Sequence, residues 1–396
     1  MSDINARDFI KFESINIDRA KDIATRYMAK QYGVSRVEVI LTNRCQLNCV
    51  YCKKHLAVDY PEYCIPHSIM MKTLKQWFDH GCKFIHFTGG EVSLCSHIYE
   101  YVELAHKNGV EVTMSTNGVN TPTTYESLVK KGVNCFHISL DTYDKDIFDK
   151  QVGAKGAFEK VINTIHLITE LRDKEHYKTK LVLNVCITPE TFINLVDILH
   201  FMLSLKPDDI KLIPIAQLKN EWTNYERLYD DKIKPKLLQM LIDKNGFDML
   251  KARINSLVKK SFRGYNNKKV VPPCYLSQDE RTIDPEGNYY GCYINYREGA
   301  SPIGNIRNDS FIIQSKKLRK NIHEFTQSEI CQKYCADLTV LCNNYIDKQL
   351  DELIYDKCYF PNNENKLFYS ENSKSYHLRK LFKAGYNIPN YIYGHL

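Results

Sequence analysis

The sequence predicts an α/β fold: parallel strands with helical crossovers, arranged as a barrel or an open sheet, ahead of a smaller cysteine-organised domain. Two observations carry that expectation. Between residues 37 and 216, six short β-rich runs alternate with intervals long enough for helices. Beyond Gln217 the alternation stops, and six of the 14 cysteines fall between Cys274 and Cys358.

A leading helix is expected over residues 19–32. There Ala20, Ile23, Ala24, Tyr27 and Met28 recur at helical spacing until Gly33, the expected left-handed cap. The six runs are VEVIL (37–41), FIHFTGG (84–90), EVTMST (111–116), CFHISLD (135–141), KLVLNVCI (180–187) and DIKLIPIA (209–216). Antiparallel partners need only short hairpin loops, whereas these gaps suit right-handed βα units. Thr188 before Pro189 marks one helix start, a good N-cap followed by a proline at the first helical position. A charged, mostly helical connector runs to about Lys269, and Asp284-Pro285-Glu286-Gly287 then signals a turn between two strands.

Composition excludes several classes. With 43% hydrophobic and 26% charged residues, the chain is neither disordered nor fibrous. No apolar run approaches the roughly 18 residues of a membrane helix, and the polar start MSDINARDFI does not read as a signal peptide. The expected compartment is the cytoplasm, where thiols stay reduced, so 14 cysteines point to metal ligation over disulfides. A net charge of +7 names no partner by itself.

Cys45, Cys49 and Cys52 stand as Cx3Cx2C in the loop after the first strand. Three thiolates this close converge only if the backbone loops around a shared centre, and soft thiolates select zinc, Cu(I) or iron–sulfur clusters. Three ligands leave one position open, as a catalytic metal requires. A zinc knuckle or plain buried thiols are the structural alternatives. The second run ends in Gly89-Gly90-Glu91, where paired glycines allow the backbone to approach a ligand. Ser115, Asn117, Ser139 and Asp141 sit at the ends of the third and fourth runs, on what would be the active face of a β/α barrel.

In these features the sequence resembles the radical S-adenosylmethionine superfamily, which shares the Cx3Cx2C spacing with an aromatic residue before the third cysteine, here Tyr51. The resemblance implies a partial (β/α)6 TIM-like barrel over about residues 35–217. It also implies a [4Fe-4S] cluster on Cys45, Cys49 and Cys52, with S-adenosylmethionine bound at the free iron. Gly89, Gly90 and Glu91 are then implied at the methionyl amine, and Ser115, Asn117, Ser139, Asp141 and Asn184 around the ribose and carboxylate. Pro214 and Ile215 are implied on the adenine side. The family usually has proline after the glutamate, where this chain reads Val92-Ser93-Leu94-Cys95.

Cys274 and Cys292 flank the expected hairpin, and Cys331, Cys335, Cys342 and Cys358 follow. This resembles the SPASM and twitch extensions of the same superfamily, which carry auxiliary [4Fe-4S] clusters. The full pattern is Cx2Cx5Cx3C with a final Cys; here the later group reads Cx3Cx6C, and Ile346 holds the place of its fourth cysteine. Two all-cysteine clusters need eight thiolates, and six are present. Either one complete cluster leaves two cysteines over, or Cys331, Cys335, Cys342 and Cys358 hold one cluster while Cys274 and Cys292 anchor a second. A structural zinc site is the rival. Cys64, Cys82, Cys95, Cys135 and Cys186 show no ligand spacing and are expected mostly in the core, although one of them would serve as a hydrogen donor to a substrate radical.

The expected divisions are a helical lead-in (1–34), the barrel (35–217), a helical connector (218–269), the iron–sulfur domain (270–360) and a basic aromatic tail (361–396). The implied reaction is reductive cleavage of S-adenosylmethionine to a 5'-deoxyadenosyl radical that abstracts a substrate hydrogen, most simply from a peptide or protein side chain. Dehydrogenation or epimerisation of a small sugar-like or nucleoside metabolite is the alternative. Only about 36 residues precede the first strand, too few for the winged-helix leader-recognition domain some peptide modifiers carry. The implied partners are the substrate and an external one-electron donor such as flavodoxin or ferredoxin. The non-enzymatic rival is a zinc-stabilised nucleic-acid-binding protein that uses the basic connector and tail.

Overall fold

The computed structural model describes residues 17–52, 63–243, 247–260, 270–335 and 337–357. Cys358, the basic aromatic tail and part of the basic connector lie outside the described residues. All six runs are strands: β1 (Arg36–Ile40), β2 (Phe84–Thr88), β3 (Glu111–Thr116), β4 (Val133–Ser139), β5 (Lys180–Ile187) and β6 (Asp209–Pro214). Every neighbouring pair among them is parallel. Helix α1 (Ile17–Met28) precedes them. The crossovers carry α2 (His67–Asp79), α3 (Ile98–Lys107), α4 (Pro122–Lys131), α5 (Lys145–Val152), α6 (Ala157–Lys174) and α7 (Leu195–Ser204). Thr188 caps the short helix Pro189–Phe192 by accepting from the Thr191 amide, and Thr191 returns the bond to Thr188.

Successive strand residues point to opposite faces, and the two faces differ in chemistry. Val37, Val39, Ile85, Phe87, Val112, Met114, Phe136 and Ile138 are fully buried in the main hydrophobic core. Glu38, His86, Thr113, His137 and Asn184 line an interior cavity of about 1690 Å³. Residues from β1 to β6 all reach that cavity, so the sheet curves around a polar lumen as a partial barrel.

The sheet does not end at β1. Its order is β6-β5-β4-β3-β2-β1-β7-β8-β9, with β7 (Glu280–Ile283) parallel to β1. Strands β8 (Asn288–Tyr290) and β9 (Gly304–Asn305) follow antiparallel. The β7–β8 turn forms at the expected residues: the Asp284 carboxylate accepts from the amides of Glu286 and Asn288, each at 2.9 Å. Gly287 supplies the positive φ of 86°. The cysteine-rich segment is thus built onto the barrel's own sheet. Among the described residues, no helix is long and apolar enough to cross a membrane.

Helix α1 departs from expectation in its end and in its partner. It stops at Met28, and Lys30 takes the left-handed conformation at φ 54°. The amide of Gln31 bonds the carbonyl of Arg26 and that of Lys30 the carbonyl of Tyr27, the pattern of a Schellman cap. Gly33 is not that cap; a Cβ there would lie 2.5 Å from the Arg26 guanidinium. The helix packs Ala20, Ile23, Ala24 and Tyr27 against Ile346 and Leu350 of the helix Asp337–Lys357, a second core apart from the barrel's.

Asp279 fastens that second core to the barrel. Its carboxylate receives Arg19 at 2.8 Å, Arg26 at 2.5 Å and the Ser35 hydroxyl at 2.9 Å. Burial alone would raise its pKa, but the two guanidiniums outweigh burial and hold it below the ordinary 3.8. Removing one partner of such a buried network strands the others without compensation. Asp279→Ala is therefore expected to cost about 3–5 kcal/mol, read as a lowered urea midpoint. The exposed control Asp22→Ala should move it far less, and equal shifts would refute the assignment.

Candidate active site

The loop after β1 is held by backbone contact. The amide of Gly90 donates to the Thr42 carbonyl and that of Glu91 to the Arg44 carbonyl, both at 2.7 Å. A Cβ on Gly89 would lie 2.4 Å from the Thr42 oxygen, and one on Gly90 would lie 2.2 Å from the Arg44 oxygen. The close approach these glycines permit is therefore to the cysteine loop's own backbone. On the other side, the amides of Asn48 and Val50 donate to the carbonyls of Val152 and Gln151 at the end of α5, each at 2.9 Å.

Seven of the nine cofactor candidates line the cavity: Tyr51, Gly89, Gly90, Ser115, Asn117, Ser139 and Asn184. Glu91 and Asp141 are fully buried behind it. The Glu91 carboxylate accepts from the amides of Ser93 (3.0 Å) and Asn117 (2.7 Å) and from the Thr116 hydroxyl (2.7 Å). It is an internal brace that joins the end of β2 to the end of β3. Asp141 accepts from the Tyr51 hydroxyl and from the Cys186 amide, so it ties the cysteine loop to β4 and β5. Burial pushes its carboxyl up to about 6, against those donors.

Asn117, fixed by Glu91, directs its side-chain amide at the Cys45 sulfur, 3.6 Å away. Ser115 shares a hydrogen bond with His86 at 3.0 Å, and His86 reaches Thr113 at 2.7 Å on its other nitrogen. That histidine, half-buried on the cavity wall, is held neutral by desolvation first and by His137 next. Asn184 pairs with Ser139 across β4 and β5, and its side-chain oxygen is buried with no hydrogen-bond partner among the described residues.

Two observations show that the residues present fit a thiolate-bound cluster with an attached polar ligand. The Cys49 thiol is pushed up to about 12 by burial, then by the charges of Asp141, Cys45 and Cys52, so the three sulfurs face one another. A bound cation would offset that burial and repulsion and hold the Cys49 sulfur as a thiolate. The orphaned oxygen of Asn184, on the same wall, is an acceptor for a donor that a ligand would bring. Cys45, Cys49 and Cys52 would hold the cluster, and Asn117, Ser139 and Asn184 would face the molecule bound to it.

A second set of four sulfurs converges on the same cavity. Burial and the charges of Cys292, Cys335 and Cys331 raise Cys274 well above its ordinary value. Burial, then Cys331 and Cys335, push Cys292 up to about 12. Cys274, Cys292, Cys331 and Cys335 all line the cavity, and four thiolates close a cluster's coordination. Of the six C-terminal cysteines, these four are the ones the described residues bring together. Cys342 is buried in the second core beside α1, and Cys358 lies outside the described residues.

Sequence reasoning missed three residues here. Asn295 accepts from the Cys292 thiol at 2.8 Å and also contacts Cys331, while Asn343 donates to Cys274 at 3.6 Å. Tyr293, next to Cys292, lines the cavity within electrostatic reach of Glu38 and Cys52, so it lies between the two sulfur sets. The Cys292-x2-Asn295 spacing was the available signal, since one helical turn places both side chains on one face. Alanine at Cys274, Cys292, Cys331 or Cys335 should each remove about four irons per chain, while Cys342→Ala should remove none. Iron analysis after anaerobic reconstitution decides this, and the reverse pattern would overturn the grouping.

Comparison with known proteins agrees with this geometry. Residues 39–202 match the radical SAM superfamily, and residues 274–337 match SPASM, an iron–sulfur cluster-binding domain. A probable GTP 3',8-cyclase of Sulfurisphaera tokodaii is 27% identical over 210 residues, covering 51% of this chain and 64% of that protein. The chain thus spans less than two thirds of that relative's length. A GTP 3',8-cyclase of Clostridium perfringens is 25% identical over 312 residues, 74% of this chain and 91% of that one. The structure of Streptococcus suis SuiB bound to precursor peptide SuiA superposes with a TM-score of 0.53 at 14% identity, covering 81% and 80% of the two chains. The chain thus carries a radical SAM domain followed by an iron–sulfur cluster-binding SPASM domain, which together imply [4Fe-4S] clusters and S-adenosylmethionine as its cofactors.

Proposed function

We propose that this enzyme oxidises a peptide or protein side chain by radical hydrogen abstraction, with an external one-electron donor to prime it. The observation that carries this reading is that the open three-cysteine set and the closed four-cysteine set line one cavity. When bound, the first cluster with S-adenosylmethionine supplies a 5'-deoxyadenosyl radical that removes a substrate hydrogen, and the second supplies an acceptor for the remaining electron. A proton leaves with that electron, so the substrate loses two hydrogens in all.

The chain's own residues hold this arrangement rigid. Glu91 fixes Asn117 against Cys45, and the Tyr51–Asp141 bond anchors the loop beside Cys49. Ser139 and Asn184 orient the cofactor's polar groups, and the helices packed outside the sheet keep water from that side. At about 1690 Å³ the cavity exceeds the roughly 300–1,000 Å³ of a single small-molecule pocket, which leaves room for an extended substrate beside the cofactor. SuiB, of the same fold, has been solved with a precursor peptide.

A nucleotide substrate is the second reading, favoured by the relatives named GTP 3',8-cyclase. Eight basic residues on the cavity wall, Arg36, Lys178, Lys180, Lys211 and Arg253 among them, outnumber the four acidic ones, Glu38, Glu111, Glu280 and Glu298, a balance that suits an anionic ligand. The test is 5'-deoxyadenosine formation with dithionite and S-adenosylmethionine, in the presence of short peptides encoded beside the gene or of GTP. Stimulation by a peptide that emerges two hydrogens lighter is expected. Stimulation by GTP alone would replace the peptide reading. The combined Cys45→Ala, Cys49→Ala, Cys52→Ala variant should form no 5'-deoxyadenosine while keeping its auxiliary iron; full turnover by it would refute the radical site.

A further inference from the structure

Outside both sulfur sets, a third cluster of metal-binding side chains lies where α2 and α3 begin. The chain returning from the cysteine loop pairs Cys64 with Thr42 and donates the Tyr63 amide to Asn43 at 2.8 Å. This delivers His67, the first residue of α2, to the start of α3. There His67 Nε2 lies 3.3 Å from one oxygen of Glu100, and His97 Nδ1 lies 2.8 Å from the other. The three ligand atoms all fall within 4.8 Å of one another. The two imidazoles stack, with centroids 4.0 Å apart and planes 25° from parallel.

Two further features distinguish this cluster from an ordinary surface ion pair. The remaining nitrogen of His67, Nδ1, shares a hydrogen bond with the buried Tyr101 hydroxyl at 3.3 Å. Metal-bound histidines typically have their second nitrogen held in this way, which fixes ring orientation and tautomer. Close by, the thiols of Cys64 and Cys95 are hydrogen-bonded to each other and within electrostatic reach of Tyr101. Each segment thus contributes a cysteine and a histidine, Cys64-x2-His67 and Cys95-x-His97. Nitrogen, carboxylate oxygen and sulfur are the donors that zinc takes.

We propose that His67, His97 and Glu100 form a divalent-cation site of the zinc class, distinct from both iron–sulfur sites. The ion clasps the returning segment of the cysteine loop to the start of α3, just beyond the Gly89-Gly90-Glu91 element. Its fourth position is left to water or to a neighbouring thiol. The role is structural support of the loop and carries no step of the radical reaction.

The test uses the full-length enzyme with its iron–sulfur clusters reconstituted, one equivalent of zinc added and the excess removed by gel filtration. Zinc content and X-ray absorption at the zinc edge are then measured. The expected result is about one zinc per chain with nitrogen and oxygen neighbours at about 2.0–2.2 Å. His67→Ala and His97→Ala should lose it with iron content unchanged, and the exposed Glu100→Ala should lower zinc affinity at least tenfold. No retained zinc, zinc surrounded only by sulfur at about 2.3 Å, or zinc that survives all three substitutions would overturn the proposal.

Discussion

The carbonyls of Thr42 and Arg44 leave no room for a side chain at residues 89 and 90, and the active site is built outward from that contact. Two short backbone hydrogen bonds join the cysteine loop to the end of β2 only because glycine occupies both positions. The second bond is made by Glu91, so the same contact fixes where its carboxylate lies. From there the carboxylate gathers Ser93, Thr116 and the Asn117 amide, and Asn117 in turn meets Cys45. A buried charge is costly unless it is fully hydrogen-bonded. Here the donors that satisfy it are also those that shape the cofactor wall.

Strand β1 gives the molecule its second organising feature. It pairs with β2 on one edge and with β7 on the other, so the barrel and the SPASM domain share one sheet. Parallel pairing on both edges leaves little freedom for one part to move against the other, and the buried Arg19–Asp279–Arg26 network stiffens the same junction. The consequence is chemical. The sulfurs after β1 and those around the β7–β8 hairpin are held facing one cavity, which a hinged pair of domains would not maintain.

Much of this was legible in the sequence because it rests on local chemistry. The strands announced themselves by β-rich runs at regular intervals, the hairpin by Asp284-Pro285-Glu286-Gly287, and the open sulfur set by Cys45, Cys49 and Cys52 within one loop. What stayed hidden depends on contacts between distant residues. Spacing alone did not show that Cys274 and Cys292 join Cys331 and Cys335 while Cys342 sits against α1. Glu91 and Asp141 look like ligand residues from their positions at strand ends, yet burial turns each inward to brace a neighbouring strand. The cap of α1 falls earlier than the sequence suggested because Lys30 adopts a conformation usually left to glycine, while Gly33 lies beyond it against the Arg26 guanidinium. His67 on one segment and His97 and Glu100 on another showed no shared spacing because they come together only in the fold.

The central claim is that one cavity is faced by two iron–sulfur sites, one open and one closed by protein. Electron paramagnetic resonance of the anaerobically reconstituted, reduced enzyme tests it most directly, recorded with and without S-adenosylmethionine alongside iron analysis. The account predicts about eight irons per chain and two [4Fe-4S] signals, of which only one shifts when S-adenosylmethionine is added, because only the three-cysteine site has a position to offer. A single signal, or two that both shift, would contradict it.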